Sequence, residues 1–549
     1  MNASTELARA AVAALIEAGV REVVLAPGSR NAPLALAAYD AERAGALRLH
    51  VRIDERSAGF LALGLTKAGR RAAVVCTSGT AAANLHPAML EAAHAGLRLV
   101  AVTADRPARL WGTSANQATD QVGLFTPLTP THDVSAPGDH DLREAARTTG
   151  GPLHWNLRFD EPLLPDAPEE RWVPDLGPHS AEGRPHSAEG RPHSVVIDAG
   201  PSAPRTVVVA GDDAGPQARR LAERAGWPLL AEPSSGSRTG DNALRSYRLL
   251  LADDGPLRDE IERVVVFGRP TLSRPVSRLL ADPKVEVWAA TTAGRWGERP
   301  FTVARAFDPA DTALRPDREG STDEDATRWL TTWREADASV SRQLDRLVAT
   351  EPGLTAHEVA AVVAAALPAG GQLVVGASNP IRDLDVMHRP TGVGERRKII
   401  ANRGLSGIDG VVSTAVGAAI ARAHGPTIAL LGDLTFLHDA NGLVIGPGEP
   451  RPEQLTLVVV NDDGGSIFAS LEQGATAYAD RFERLFATPH HVSIEQLCAA
   501  TRTPYLRAES RVELEHALAS AGGGIEVIEA VVDRAGRRVL DARIRDLRP

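Results

Sequence analysis

The chain could do chemistry where polar or ionisable residues directly follow short apolar runs. Two such breaks lie close together in its C-terminal third. Gly432-Asp433-Leu434 ends one apolar run and Asn461-Asp462 ends the next, with residues 435–460 between them. Aspartate oxygens at neighbouring strand ends can supply part of the octahedral oxygen shell of a hard divalent cation. Two acidic loops at a sheet edge would give the same pattern. Glu55 follows the apolar stretch Leu47–Ile53 and precedes a helical pattern over 56–64. A carboxyl group there could serve a ligand, cap the helix or pair with a surface cation. Arg30, Arg106, Arg382 and Arg403 stand at further run ends. The planar guanidinium fork binds a carboxylate through two charge-assisted hydrogen bonds. A single arginine says little in this chain, because lysine occurs only at Lys67, Lys284 and Lys398 and nearly all of its 60 basic residues are arginine.

The elements that must position these groups repeat three times. Ala8, Val12 and Ile16 recur every four residues on a helix that Gly19 stops. Val23–Ala26 reads as a buried strand broken by Pro27-Gly28. A helix over Pro33–Arg43 and strands over Leu47–Ile53, Ala72–Cys76 and Leu97–Val102 follow. The same rhythm returns with Thr206–Ala210, Pro228–Ala231, Val264–Phe267 and Val285–Ala289. It returns again with Leu373–Gly376, Lys398–Ala401, Ile428–Leu431 and Leu455–Val460. Short apolar strands joined by helical crossovers imply an α/β chain of three doubly wound parallel-sheet domains. The expected division is 1–176, a linker at 177–203, 204–321, a charged linker at 322–353, and 354–549. The first linker carries Pro-His-Ser-Ala-Glu-Gly-Arg at 178–184 and again at 185–191. Its histidines, seven residues apart, read as part of a duplicated solvated segment and not as a metal site.

Ligands of open α/β sheets bind at the carboxyl ends of the strands. In the first domain those ends carry Ser29-Arg30, Asp54-Glu55, Thr77-Ser78-Gly79 and Asp105-Arg106. In the third they carry Ser378 with Arg382, Asn402-Arg403, Gly432-Asp433 and Asn461-Asp462. The middle domain offers Gly211-Asp212, Glu232-Pro233 and Gly268-Arg269, a set that reads as structural.

Composition narrows the partners. A net charge of -10 without a basic block argues against nucleic acid and anionic membranes. Two cysteines, Cys76 and Cys498, exclude a disulfide framework or a cysteine-rich metal site, and Cys76 at the end of an apolar run reads as core. With neither a signal-peptide pattern at the N-terminus nor an apolar run of spanning length, a cytoplasmic protein without an integral membrane segment is expected.

The pair Gly432-Asp433 and Asn461-Asp462 resembles the thiamine-diphosphate motif, Gly-Asp-Gly followed some two dozen residues later by Asn-Asn. Leu434 stands in place of its last glycine and Asp462 in place of its second asparagine. More specifically, the chain resembles the SEPHCHC synthases of menaquinone biosynthesis. The resemblance rests on Ala26-Pro27-Gly28-Ser29-Arg30-Asn31-Ala32-Pro33-Leu34, Thr77-Ser78-Gly79-Thr80-Ala81, Thr103-Ala104-Asp105-Arg106-Pro107 and Ala115-Asn116-Gln117. It continues in Glu232-Pro233-Ser234-Ser235-Gly236, in the run from Asn402 to Gly410, in Gly464-Gly465-Ser466-Ile467-Phe468 and in Phe482-Glu483-Arg484-Leu485-Phe486.

The resemblance implies a thiamine-diphosphate enzyme that decarboxylates 2-oxoglutarate and adds the succinyl carbanion to isochorismate by conjugate addition. It implies Mg2+ (or Mn2+) held by Asp433, Asp462 and the carbonyl of Gly464. Glu55 would contact the aminopyrimidine ring and Gln117 would orient a water or the intermediate, as the catalytic pair. Ser29, Arg30, Arg106, Asn116, Ser378, Arg382 and Arg403 would bind substrate. Thr77, Gly79, Ser406, Ile408, Gly432, Leu434, Ile467 and Phe468 would join Glu55 and Asp433 around the cofactor, with Ile408 propping its bent form. His438 is expected on a helix face and not as a ligand. Glu55 and the metal motif lie in different domains, so the resemblance implies a homodimer or homotetramer with sites at the subunit interface. Another thiamine-diphosphate enzyme, such as an acetohydroxyacid synthase or an oxoacid decarboxylase, is the alternative, and a non-enzymatic nucleotide-binding protein a further one. Against the latter, no Gly-x-Gly-x-x-Gly follows the first strand of any domain.

Overall fold

A computed structural model describes residues 1–167, 171–174, 195–198, 203–252, 255–294, 297–309, 312–315, 324–422 and 425–549. The duplicated segment at 178–194 lies outside the described residues.

Three parallel sheets dominate. The first joins Arg48–Val51, Glu22–Leu25, Ala72–Cys76, Leu99–Asp105, Leu153–Arg158 and Thr131–Val134, in that lateral order. The third joins Lys398–Ala401, Gln372–Val375, Thr427–Gly432, Gln454–Asn461, Gly524–Val531 and Tyr505–Ala508. Numbered within each sheet, both run 2-1-3-4-6-5, so the first and third domains share one topology. The middle sheet has five strands, in the order Arg305–Phe307, Glu286–Ala290, Arg263–Phe267, Thr206–Ala210, Leu229–Ala231. Every pairing in the three sheets is parallel. The central strands are apolar and buried along their length, as Ala72–Cys76 and Arg263–Phe267 illustrate, because helices cover both faces. Cys76 and Cys498 are both buried.

Several segments depart from the sequence reading; the expected linker 177–203 holds a strand, Val195–Asp198, paired in parallel with Thr312–Arg315, and the strand expected at Leu47–Ile53 is confined to Arg48–Val51. The strand expected at Leu97–Val102 runs from Leu99 to Asp105. Gly96 closes the preceding helix in a left-handed conformation, and pairing with the neighbouring strand extends to Asp105 opposite Arg158. The charged stretch expected as a linker at 322–353 contains a 26-residue helix, Glu324–Ala349. Its Trp329, Trp333, Val340, Leu344 and Val348 recur at helical spacing and pack into a core shared by the middle and third domains. The many charges are its solvent face.

The first and third domains also share a core, through the helices Glu55–Lys67 and Val411–Ala421. These helices touch backbone to backbone. A Cβ on Gly64 would stand 2.1 Å from the Thr414 carbonyl oxygen, and one on Gly417 would stand 2.1 Å from that of Leu61. Among the described residues no helix is long and apolar enough to cross a membrane.

Candidate functional site

In both outer sheets the strand order reverses between the first and third strands, and that crevice is where the candidate residues gather. In the third domain, strand Gln372–Val375 leads to Ser378, which caps helix Asn379–Met387 at φ 71. Arg382 on that helix bonds the Ser378 carbonyl at 2.5 Å. The neighbouring strand ends deliver Asn402-Arg403, Asp433 and Asp462. Ser378, Arg382, Arg403, Asp433 and Asp462, but not Asn402, line one pocket of about 400 Å3, with Ser406, Ile408, Gly432, Leu434, Gly464, Ile467 and Phe468. All the third-domain residues expected to bind cofactor, metal or substrate thus meet in one cavity.

Its floor is acidic. Asp433 is buried; its Oδ1 accepts the Leu434 N–H at 2.7 Å and its Oδ2 the Gly464 N–H at 2.8 Å. Burial raises the Asp433 pKa. Burial, and then the nearby charge of Asp433, raise that of Asp462 to about 7. Two desolvated carboxylates that repel one another form a site that a divalent cation would stabilise. Among the described residues no cluster of three or more His, Cys, Asp or Glu could hold a metal. Two aspartates would give only part of an octahedral oxygen shell, which a backbone carbonyl and ligand oxygens would complete. The turn is shaped for this: Asp463 has φ 54 and Gly464 φ 146, and a Cβ on Gly464 would lie 2.2 Å from the Ala487 carbonyl oxygen. Asn461 is committed elsewhere, bonding Glu529 at 2.5 Å.

Its wall is basic. Neither Arg382 nor Arg403 forms an ion pair among the described residues. Burial, followed by the charge of Arg403, lowers the Arg382 pKa. Arg403 donates to Thr271 Oγ1 at 2.8 Å, and its Nε is buried without a partner. Two cations left unneutralised in a half-closed pocket suit a carboxylate ligand. The loop that carries Arg403 and Ser406 (φ 60) is pinned from the first domain. Glu91 accepts the Gly404 and Leu405 N–H groups at 2.8 and 2.7 Å, and Lys67 lies 3.5 Å from it.

The first-domain candidates form a second cluster. Arg106 is buried and bonds the Asn116 carbonyl through Nε and Nη2 at 3.0 and 2.7 Å. Burial, followed by the Arg30 charge, lowers its pKa. Arg30 bonds the Phe159 carbonyl at 3.1 Å, and Gly79 packs beside Gln117. The Thr77 side chain lies so close to Gly28 that a Cβ on that glycine would be 2.4 Å from the Thr77 Cβ. Ser29, Asn116 and Gln117 are exposed. Asp54, and not Glu55, caps helix Glu55–Lys67 by accepting the Arg56 N–H at 2.9 Å. Glu55 makes no ion pair or side-chain hydrogen bond among the described residues, so its carboxyl group is uncommitted.

No first-domain residue lines the acidic pocket. Around Glu55, the chain's own third domain contributes the His438 carbonyl to Arg56 at 2.5 Å and Asn441 to Asp54 at 3.0 Å. His438 ends the short helix Asp433–His438 and does not line the pocket.

Several site residues escaped the sequence reading. The middle domain, read as structural, gives Thr271 to the pocket wall; Asn379 and Arg537 also line it, and His490 lies 3.1 Å from Asp433. Only the packing of separate domains brings Thr271 here. Of the nine described non-glycine residues with positive φ, four are candidate residues or adjoin one: Gln117, Ser378, Ser406 and Asp463. Such strain collects at functional positions.

Comparison with known proteins matches residues 5–124 to the family model described as thiamine pyrophosphate enzyme, N-terminal TPP binding domain. A protein of Nocardioides sp. is 62% identical over 550 residues, spanning 100% of this chain and 98% of its own length. Relatives from Kineococcus radiotolerans and Rhodococcus erythropolis are 48% and 43% identical, covering 97% and 99% of this chain and the same shares of their own. All three are named 2-succinyl-5-enolpyruvyl-6-hydroxy-3-cyclohexene-1-carboxylate synthase.

Proposed function

This chain belongs to the SEPHCHC synthase family, and from that premise we propose that it is the thiamine-diphosphate-dependent carboligase of menaquinone biosynthesis. It decarboxylates 2-oxoglutarate and joins the remaining succinyl unit to isochorismate by conjugate addition, releasing CO2. The observation that carries the reading is the pocket that pairs the buried Asp433 and the half-buried Asp462 with two arginines that form no ion pair among the described residues.

Bound thiamine diphosphate supplies the nucleophilic carbon that takes up the keto carbon of 2-oxoglutarate and the electron pair left when CO2 departs. The rest falls to the chain. Asp433, Asp462 and the Gly464 carbonyl would hold Mg2+ (or Mn2+), whose charge would offset that of the diphosphate. Gly432, Leu434, Ser406, Ile467 and Phe468 enclose the cofactor, and Ile408 props it. Arg382, Arg403 and Ser378 take substrate carboxylates from this side. Arg30, Arg106, Ser29 and Asn116 take them from the other, with Gln117 beside the reacting atoms. Glu55 would hydrogen-bond the aminopyrimidine and hold or pass its proton, with Thr77 and Gly79 joining it around that ring.

This division assigns 1–176 to the pyrimidine half and 354–549 to the diphosphate half, in a cytoplasmic protein. It requires two subunits, because Glu55 does not reach the acidic pocket of its own chain. Ile53, beside Glu55, is 70% exposed and Leu405 is 49% exposed, which suits surfaces covered by a partner in a dimer or tetramer. Purified protein given isochorismate, 2-oxoglutarate, thiamine diphosphate and Mg2+ should consume isochorismate, read as loss of its absorbance. No loss with any single component restored in excess would refute the activity. Mixing Glu55→Gln and Asp433→Ala chains should restore part of the activity, since one mixed site then has both groups intact. No recovery on mixing would place both groups within one chain.

A further inference from the structure

The carboxylate of Asp433 is held from three directions. Its Oδ1 accepts the Leu434 N–H at 2.7 Å, and its Oδ2 meets both the Gly464 N–H at 2.8 Å and His490 Nε2 at 3.1 Å. The tautomer of His490 follows from its other nitrogen. Nδ1 accepts the Val492 N–H at 3.0 Å, so it carries no proton. The hydrogen of the neutral ring is therefore on Nε2, and the bond to Asp433 is a donation. The ring is aimed, because Asp463 Oδ1 accepts the backbone N–H groups of His490 and His491 at 3.2 and 2.8 Å. Its side chain is 11% exposed.

Counting lone pairs then separates the two oxygens. Each carboxylate oxygen accepts about two hydrogen bonds. Oδ2 has both positions filled, whereas Oδ1 has one filled by Leu434 and one open. We propose that His490 is a positioning residue that keeps Asp433 a one-oxygen ligand and so favours a small octahedral cation over a larger one. Mg2+ demands near-ideal octahedral geometry, whereas Ca2+ takes more oxygens and readily takes both from one carboxylate. This rests on Asp433 being a cation ligand, as assigned above.

Two variants separate positioning from mere support of the turn. In His490→Asn the amide oxygen can still accept the Val492 N–H, but the donor to Asp433 is gone. In His490→Gln an amide nitrogen can reach Asp433 where Nε2 did. Full-length protein with saturating thiamine diphosphate is titrated calorimetrically with Mg2+ and, separately, with Ca2+. His490→Asn should weaken Mg2+ binding by about 10- to 100-fold, the usual range for outer-shell partners of a metal site. Ca2+ should weaken far less, so the preference for Mg2+ falls, while His490→Gln keeps a preference close to the wild type. Equal loss for both cations in His490→Asn, or no loss, overturns the proposal, as does a His490→Gln variant that behaves like His490→Asn. Asp433→Ala is the control on the site. If it retains wild-type Mg2+ affinity, the metal assignment itself fails; if it abolishes binding while His490→Asn changes nothing, only the role of His490 fails.

Discussion

Replacing Gly417 by alanine tests the contact that joins the first and third domains. The new Cβ would lie 2.1 Å from the Leu61 carbonyl oxygen and 3.0 Å from the Leu65 nitrogen. Carbon and oxygen settle no closer than about 3.3 Å, so the helices Glu55–Lys67 and Val411–Ala421 must part by roughly 1 Å. The obstacle is backbone, which cannot rotate aside. Overpacking of this kind costs about 1–3 kcal/mol, and a gap of up to about 1 Å forfeits a quarter to a half of each dispersion contact along the seam. Against this, alanine in a helix gains about 1 kcal/mol over glycine. The backbone obstacle puts the cost near the top of its range, leaving a net loss of about 2 kcal/mol from a total on the order of 5–15 kcal/mol. Gly64→Ala meets Thr414 in the mirror sense, and the same parting of the helices relieves both clashes. The double variant should therefore cost less than the sum of the single ones. Urea unfolding followed by fluorescence and circular dichroism gives the midpoints, two probes being needed for a multidomain chain. Activity should fall as well, because Glu55 heads the displaced helix and a 1 Å misplacement can cost about 10²-fold. A Gly417→Ala midpoint at or above the wild type, or strictly additive losses, would refute the reasoning.

Three further expectations concern Glu55, Glu91 and the buried Glu232 of the middle domain. Glu55→Gln should bind thiamine diphosphate near normally by calorimetry while turnover falls by about 10²-fold or more, the usual worth of positioned proton transfer; undiminished turnover would remove Glu55 from the mechanism. Glu91→Gln cannot accept both the Gly404 and Leu405 N–H groups, so the loop carrying Arg403 loosens and KM for 2-oxoglutarate or isochorismate should rise about tenfold, or about 1.4 kcal/mol; an unchanged KM would free that loop from Glu91. Burial raises the Glu232 pKa from 4.5 to about 8. Its folded form therefore keeps a proton that the unfolded chain releases, and the stability it contributes below pH about 4.5 is lost as pH rises towards 8. Glu232→Gln should gain thermal midpoint over the wild type across that interval and hold the gain above it; a constant difference at all pH values would contradict this.

The strands were readable because an apolar run of four or five residues bounded by glycine or proline can only be a buried strand or a short piece of helix, and the alternating rhythm decides between them. Gln372–Val375, between Gly371 and Gly376, and Thr206–Ala210, followed by Gly211, are of this kind. Helix Glu324–Ala349 was not legible as a packed element, since its charges mask a narrow stripe of Trp329, Trp333, Val340 and Leu344.

Sequence alone determined the identity of the strand-end groups and, through the parallel-sheet rule, the edge on which they emerge. Residue type and local order suffice for that, so Asp433, Asp462, Arg382 and Arg403 could be named in advance. Tertiary structure alone decided that these four share a cavity with Thr271 and that His490 holds Asp433. It also decided that Asn441 of the third domain bonds Asp54, while no described residue forms an ion pair with Glu55. Those outcomes depend on distances between residues far apart in the chain, which are set by how sheets and helices pack and leave no local periodicity to read.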